Sequence, residues 1–284
     1  MSTDTWKRST PGEPIRVNEG DVPFLSFPLL EETGIVRHGF STRMGGVSEG
    51  IYASMNLGYR RGDEPENVAE NFRRITAAMG MDADRMVFSA QTHTTNLLRV
   101  TSADVGLPAW EVRHDIDGLL TDEEGLVLVT FYADCIPLYF VDPVHRAIAL
   151  SHSGWRGTRS RMGEATVRRM AEEFGSRPED ILAAVGPGIC QDCYEVGEEV
   201  AAEFREAFSW GHDVTAPGKA PGKYQLDLWE ANRRILTEAG IAPEHLAVSN
   251  LCTCCNADKL FSHRASKGKR GSLAAFLSLK EKGK

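Results

Sequence analysis

The sequence predicts an α/β or α+β fold with one large mixed β-sheet. Short apolar runs, typical of strands buried on both faces, alternate along the chain with segments whose apolar residues recur at helical spacing. Strand and helix patterns are mixed throughout and no internal repeat is visible, an order typical of a layered mixed fold.

The individual elements follow from local patterns. A helix is predicted over residues 63–80, because Val68, Phe72 and Ile75 share one face and Gly80 provides a stop. The remaining segments predict, in order, a Gly/Ser-rich loop at 37–58, strands at 85–93 and 125–135, a strand with a Gly-rich turn at 146–158, a helix at 159–174, a strand at 181–188, a helix at 195–207, a surface loop at 209–223, a helix at 227–240, a strand entering a Cys-rich loop at 245–256 and a final strand at 272–279.

Length and composition indicate a globular protein. Of the 284 residues, 42% are hydrophobic and 25% are charged, which is ordinary for a chain with its own core. Residues 1–20 are polar, with two prolines and two glycines, and are predicted to form a flexible arm. Residues 21–284 are predicted to form a single domain.

Charge and hydropathy exclude several kinds of partner. The net charge of −8 disfavours a broad surface for nucleic acid or an anionic membrane, which requires clustered positive charge. No apolar run reaches the roughly 18 residues of a membrane span. The polar N-terminus lacks the apolar region of a secretory signal. We therefore expect a cytoplasmic monomer with neither nucleic acid nor membrane as a partner.

Three polar side chains follow apolar runs, where a sheet presents ligands to a crevice. They are His93 after "VFSAQT", Cys135 after "VTFYAD" and His152 after "IALS". Two imidazoles and one thiolate suit zinc, and three protein ligands leave the open position of a catalytic site. Their spacing matches no local metal motif, so separate structural roles for the two histidines and a core role for the cysteine remain open.

The other cysteines form two C-x-x-C pairs. Because the chain needs no disulfides and shows no secretion signal, free thiols or metal ligands are expected. The pairs Cys190/Cys193 and Cys252/Cys255 resemble two zinc knuckles, but the gap between them is far longer than in a zinc ribbon. A structural zinc and a thiol-rich loop near the active site are both compatible with this pattern.

Arginines beside turns are candidates for anion binding. Arg43 lies in "STRMGG", Arg156 in "GWRG" and Arg264 in "FSHR". Guanidinium groups bind phosphate through paired hydrogen bonds, and glycines next to the first two allow a ligand to approach the backbone. An ordinary surface role is the alternative for each.

Several known catalytic motifs are absent from the sequence. His152 is followed by Ser153 and Gly154 rather than by the x-E of a cytidine-type deaminase, and no P-C-x-x-C is present. H-E-x-x-H, G-x-S-x-G and the phosphate loop G-x-x-x-x-G-K-[ST] are also missing.

A set of long motifs, in order, resembles the laccase-domain or "polyphenol oxidase" family, whose members are better described as purine nucleoside phosphorylases. The resemblance covers residues 35–278. The motifs are "HGFSTRMGGVSEGIYASMNLG", "QTH", "DGLLTDEEGLVLVTFYADCIPLYFVDP", "ALSHSGWRGT", "VGPGICQDCYEVGEEV", "DLWEANRRIL" and "CTCCNADKLFSHR".

This resemblance implies a layered α/β/β/α-type domain with mixed sheets. It implies a zinc ion held by His93, Cys135 and His152. It further implies phosphorolysis of adenosine, inosine and methylthioadenosine, and deamination of adenosine. The family form at the first ligand has a glycine after the histidine, whereas Thr94 stands here.

Roles for the neighbouring residues follow from the same resemblance. Arg43, Arg156 and Arg264 would hold phosphate. Asp134 would orient a ligand or move a proton, with turn capping as the alternative. Tyr194 would line the pocket.

Three rival functions remain at this point. A copper-dependent polyphenol oxidase would use the same ligands, although the eight histidines of the chain include no H-x-H pair. A cysteine hydrolase or deamidase would use Cys135 as the nucleophile and His152 as the base. A non-catalytic role in cell-wall maintenance is neither supported nor excluded by the sequence.

Overall fold

The computed structural model describes residues 5–107 and 109–283. Within them, the α-helices are α1 (Pro28–Glu31), α2 (Pro65–Ala78), α3 (Ala109–Val112), α4 (Trp155–Arg159), α5 (Met162–Phe174), α6 (Glu198–Ala207) and α7 (Leu228–Glu238). None of these helices is both long and apolar enough to cross a membrane.

The β-strands of the same residues are mostly short. In chain order they are β1 (Arg16–Asn18), β2 (Phe24–Ser26), β3 (Val36–Ser41), β4 (Met86–Phe88), β5 (Leu97–Arg99), β6 (Gly118–Thr121), β7 (Val127–Tyr132), β8 (Ile136–Asp142), β9 (Ala147–Ser153), β10 (Leu182–Val185), β11 (Glu195–Gly197), β12 (Thr215–Pro217), β13 (Lys223–Leu226), β14 (Leu246–Val248) and β15 (Leu273–Leu279).

The strands form two six-stranded sheets and one small sheet. The first sheet has the order β1-β2-β3-β15-β7-β4 and the second has the order β14-β10-β8-β9-β6-β5. Each combines parallel and antiparallel pairs. The expectation of one large sheet is therefore wrong, because the buried apolar strands divide between two layers.

The two sheets pack face to face with helices outside them. Along β7, Leu128 joins the core between the sheets, whereas Val127 and Val129 pack with Phe72 and Ile75 of α2. Helices α5 and α7 cover the outer face of the second sheet. Alternate side chains of a strand point to opposite faces, so strands apolar on every residue require this arrangement. The predicted α/β/β/α architecture is confirmed.

Two segments depart from their sequence patterns. The predicted surface loop at 209–223 contains β12, which pairs with β13 in the small sheet. The helix predicted from residue 195 begins three residues later, because 195–197 form β11 of that sheet. The Gly and Pro content of 209–223 concealed a short strand that pairs with the next strand along the chain.

The described part of the predicted 1–20 arm is attached to the rest of the structure, and residues 1–4 lie outside the described ranges. Strand β1 pairs with β2, and Arg8 forms a β-bridge with Leu251. The side chain of Asn256 accepts from the amide of Lys7 at 2.8 Å and donates to its carbonyl at 2.9 Å. These long-range bonds fix residues 7–18 against the sheets rather than leaving them loose.

Candidate active site

The structure brings together the three residues expected to bind a metal. The ligand atoms of His93, Cys135 and His152 all lie within 4.8 Å of one another. The Sγ atom of Cys135 is 3.8 Å from Nε2 of His93, and the two imidazole centroids are 4.9 Å apart. His152 is buried, Cys135 is half-buried and His93 is exposed, so the cluster opens to solvent on one side.

The cluster forms where the chain crosses between the two large sheets. Cys135 lies in the turn between β7 of the first sheet and β8 of the second. Antiparallel pairing places Pro137 opposite His152 at the end of β9. His93 follows β4, which pairs in parallel with β7. Strand pairing therefore brings together three side chains that are far apart in the sequence.

Asp117 holds both histidines, although the sequence analysis assigned it no role. Its Oδ1 accepts from Nδ1 of His152 at 2.8 Å and from the amide of His93 at 3.0 Å. A carboxylate only accepts, so Nδ1 of His152 carries a proton and Nε2 is the ring nitrogen that can bind a metal. The signal available in the sequence was the Asp-Gly at the start of an apolar strand.

The same carboxylate stabilises an unusual backbone at His93, whose φ angle of 69° lies in the left-handed region. Oδ2 of Asp117 accepts from the amides of Thr92 and Thr94, each at 3.0 Å. The hydroxyl of Thr94 donates to the same oxygen at 3.0 Å. Thr94 therefore adds a bond that fixes the loop of the first ligand.

Charges within the cluster are strongly coupled. Burial opposes ionisation of Cys135, but the charge of His152 and hydrogen bonds from both histidines lower the pKa of the thiol to about 6. Burial likewise opposes protonation of His152, but the Cys135 thiolate and the Asp117 carboxylate raise its pKa to about 9. Burial would raise the pKa of Asp117, yet the bonds from His152 and the loop amides lower it to about 2. At neutral pH the metal-free cluster is therefore a Cys135 thiolate beside a protonated His152, and a metal that binds Nε2 of His152 displaces the proton from that nitrogen.

Gln91 of the "QTH" motif fixes the start of the same loop. Its side-chain Nε2 donates to the carbonyl of Phe131 at 2.9 Å, and its Oε1 accepts from the Phe131 amide at 2.6 Å. The hydroxyl of Ser89 also donates to Oε1, at 3.1 Å. Gln91 therefore ties the loop to β7, close to the turn that carries Cys135.

Asp134 has both carboxylate oxygens occupied by one distant loop. Oδ1 accepts from the hydroxyl of Thr253 at 2.6 Å, and Oδ2 accepts from the amide of Arg264 at 2.7 Å. The φ angle of Asp134 is 84°, a second left-handed residue beside the cluster. These bonds hold the turn that carries Cys135.

Tyr194 lies beside Arg264, whose backbone amide donates to Asp134. The guanidinium carbon of Arg264 is 5.3 Å from the Tyr194 ring centroid. Burial raises the pKa of the Tyr194 phenol, and the Cys135 thiolate raises it further, so the ring is close enough to be affected by the cluster. Arg156 also influences this phenol, while its guanidinium stacks on Trp155 at 4.3 Å.

Arg43, the third predicted phosphate ligand, lies in an adjoining pocket. Its Nε and Nη1 donate to the carbonyls of Ala53 and Ala257, each at 2.9 Å, and its guanidinium stacks on Phe261. Two of its five N–H donors are therefore committed to the backbone. The adjoining pocket shares one residue, Arg270, with the pocket of the metal cluster.

Two arginines that the sequence analysis did not select line the pocket of the cluster. They are Arg61 and Arg270. Phe131, Tyr132 and Ser272 line the same pocket. Among the described residues, neither arginine forms an ion pair with a carboxylate, and the buried Nε of Arg270 has no hydrogen-bond partner. Burial and the charge of Arg61 lower the pKa of Arg270 to about 10, so it stays cationic at neutral pH.

Comparison with known proteins assigns the family. Residues 37–280 match the family described as multi-copper polyphenol oxidoreductase laccase. The chain belongs to this family. It is 38% identical over 246 residues to the purine nucleoside phosphorylase YlmD of Bacillus subtilis, covering 86% of this chain and 88% of that one.

Two further relatives extend the comparison. The chain is 35% identical to the adenosine deaminase RL5 of an unknown prokaryotic organism, over 79% of this chain and 87% of that one. The crystal structure of the hypothetical protein YfiH from Bacillus licheniformis matches with a TM-score of 0.88 and 33% identity, over 95% of this chain and 100% of that one. The sequence relatives are named as enzymes, and this family member is an enzyme.

Proposed function

We propose that this family member is a zinc-dependent purine nucleoside phosphorylase that also deaminates adenosine. Its substrates would be adenosine, inosine and S-methyl-5′-thioadenosine with phosphate, and it would act as a cytoplasmic monomer. The observation that carries the proposal is the convergence of His93, Cys135 and His152 within 4.8 Å, beside a pocket whose two arginines form no ion pair with a described carboxylate. The names of the relatives support the reaction class.

The donor set fits zinc. Two imidazole nitrogens and one thiolate are zinc ligands, and three protein ligands leave one position for a substrate or water. When bound, zinc supplies Lewis acidity at that open position. His152 is oriented for this role by Asp117, which holds the imidazole in the tautomer that presents Nε2.

The ligand inventory favours zinc over a multicopper centre. Oxidases of that kind need several further histidines near the first site. Within residues 5–107 and 109–283, the one other cluster able to hold a metal consists of cysteines alone. The pocket of the His-Cys-His cluster is lined by no methionine that would serve as the weak axial ligand of a copper site.

Phosphate would be held by the arginines of the pocket. Arg270 has a buried Nε without a partner, and the nearby charge of Arg61 gives the pair a net attraction for a dianion. Arg43, Arg156 and Arg264 remain candidates at its margins. Arg264 already donates through Nη1 to the carbonyl of Cys193 at 3.2 Å, which leaves it fewer donors for a ligand.

The other residues would position substrate and loops. Phe131 and Tyr132 provide apolar surface in the pocket against which a purine or a sugar can pack. The bonding of Asp134 favours a role in holding the Cys135 turn over one in proton transfer, because both of its oxygens are occupied. Tyr194 would border the pocket through its contact with Arg264.

The proposal is tested by following each nucleoside with and without phosphate. Phosphorolysis requires release of the free base and formation of the sugar 1-phosphate only when phosphate is present; this is ribose 1-phosphate from adenosine or inosine and 5-methylthioribose 1-phosphate from S-methyl-5′-thioadenosine. Deamination requires release of ammonia from adenosine. Cys135→Ala is expected to abolish both by removing the sulfur ligand. Equal turnover by this variant would overturn the assignment of the site.

Two controls separate the rival functions. Oxygen consumption with a phenol, dependent on copper, would identify an oxidase. Activity that survives removal of the metal would identify Cys135 and His152 as a cysteine hydrolase pair. We expect neither, and we expect zinc to restore activity to the metal-free protein.

A further inference from the structure

A second group of cysteines lies outside the site described above. Cys190, Cys193, Cys252 and Cys255 have their Sγ atoms within 4.8 Å of one another. The measured separations include 3.5 Å from Cys193 to Cys255 and 3.9 Å from Cys190 to Cys255. Cys190 and Cys252 are buried and the other two are half-buried, so the group is largely shielded from solvent.

The spacing of the sulfurs corresponds to metal ligation rather than to disulfides. Bonded sulfurs lie about 2.05 Å apart, and all six cysteines of the chain are free. In a tetrahedron with zinc–sulfur bonds of about 2.3 Å, the sulfurs are about 3.8 Å apart. The separations of 3.5 and 3.9 Å lie on either side of that value.

Parallel strand pairing explains how two distant C-x-x-C pairs meet. Strands β10 and β14 are parallel neighbours, with Val185 opposite Val248. The segments that follow them run side by side, since Gly188 forms a β-bridge with Cys252 and accepts from the amide of Thr253 at 3.0 Å. The long sequence gap that argued against a zinc ribbon is therefore closed by the second sheet.

Backbone amides support negative charge on one of the four sulfurs, that of Cys252. The Sγ atom of Cys252 accepts from the amide of Cys190 at 3.2 Å and from the amide of Cys255 at 3.4 Å. Hydrogen bonds of this kind favour a thiolate over a thiol. Four thiolates in one place repel one another strongly, and a divalent cation at their centre removes that repulsion.

We propose that these four cysteines hold a structural zinc ion in a tetrathiolate site. All four coordination positions are filled by protein, so the site leaves no opening for a substrate and its role is to stabilise structure. The loops it joins both bond to Asp134: the hydroxyl of Thr253 donates to the carboxylate at 2.6 Å, and the amide of Ile189 donates to the carbonyl at 2.9 Å. The ion thereby stabilises the turn that carries Cys135.

Metal analysis tests this site independently of the proposed function. The protein is purified in zinc-containing, reducing buffer, passed through a desalting column and analysed for metal per chain. The wild type is expected to hold two zinc ions. Cys193→Ser and Cys255→Ser are each expected to hold one, as is Cys135→Ala, which removes a ligand of the other site. The matched control is Cys254→Ser, in the same loop but outside the cluster, and it should keep both.

A spectroscopic measurement covers the case in which the cysteine variants fail to fold. X-ray absorption of the zinc remaining in Cys135→Ala should show a first shell of sulfur only, at about 2.3 Å. Nitrogen or oxygen in that shell, a single metal in the wild type that disappears in Cys135→Ala, iron in place of zinc, or a disulfide among the four cysteines would each overturn the proposal.

Discussion

The Nδ1 atom of His152 and the Oδ1 atom of Asp117 are joined by a 2.8 Å hydrogen bond in the buried part of the metal cluster. This bond fixes the tautomer of one ligand, while the remaining bonds of the same carboxylate fix the loop of another. Asp117 is fully buried and contacts both histidines without facing the position that a metal would take. It is therefore a positioning residue whose removal should weaken the metal site.

Asp117→Asn is expected to lower zinc affinity by about 10–100-fold, as is typical when the carboxylate behind a histidine ligand is removed. The amide can donate as well as accept, so the tautomer of His152 is no longer dictated. Affinity would be measured by competition with a chromophoric chelator. Asp122→Asn, the same change at a partly exposed carboxylate that bonds to Arg99 rather than to the cluster, is the control and should bind zinc like the wild type. Equal affinities for all three proteins would contradict the role of Asp117.

Gly154 has no side chain, and the side chains of His93 and Cys135 occupy the space where its Cβ atom would lie. A Cβ atom at this position would lie 2.8 Å from the His93 ring and 3.1 Å from Sγ of Cys135. Gly154→Ala is therefore expected to displace a ligand and to lower zinc affinity about tenfold, given the usual cost of overpacking. At Gly157 a Cβ would meet its neighbours at 3.5 Å or more, so Gly157→Ala is the matched control. A Gly154→Ala protein with unchanged zinc affinity would show that the cluster tolerates the extra carbon.

The sequence predicted the three side chains that converge in the cluster but not the residues that hold them. His93, Cys135 and His152 could be selected because each follows an apolar run, a local signal. Asp117 could not, because its contact with His152 depends on antiparallel pairing of β6 with β9, which places Gly118 opposite Ser151. Local patterns do not report which strands pair.

The same limit applies elsewhere in the fold. The helix predicted at 63–80 is confirmed as α2, since its apolar face and its Gly80 stop are local features. The division of the strands into two sheets was missed, because a strand apolar on both faces does not reveal which sheet it joins. Arg61 and Arg270 were missed for a related reason: they reach the pocket from segments far from the ligands, without a motif.

Arg270→Gln tests which arginine binds phosphate. Loss of a charge-assisted contact to phosphate should raise the KM for phosphate in phosphorolysis by about 10–100-fold. Deamination of adenosine, which uses no phosphate, should change far less. Lys269→Gln is the control, since Lys269 lines the adjoining pocket and carries the same charge. Equal losses in both reactions, or in both variants, would argue against a specific phosphate contact.

His38 gives the fold a pH dependence that is separate from the metal sites. Its imidazole is buried beneath Phe27 and Tyr139, and its Nε2 accepts from the amide of Phe27 at 2.8 Å. Burial lowers the pKa of His38 from 6.5 to about 4. The folded protein therefore keeps this ring neutral at a pH where the unfolded chain already protonates it.

Proton binding by the unfolded chain makes the protein less stable as the pH falls. Between pH 6.5 and 4 the unfolded state binds the extra proton, so the free energy of unfolding falls as the pH falls, by about 3 kcal/mol over the interval from this group. His38→Gln retains an oxygen that can accept from Phe27 but never titrates, so it should lack this part of the pH dependence. Urea unfolding of both proteins at pH 7.5, 5.5 and 4.5 measures the difference between them, in which contributions from all other groups cancel. The free energy of unfolding of the variant should rise relative to that of the wild type as the pH falls. A constant difference would mean that His38 is protonated in the folded state as readily as in the unfolded chain.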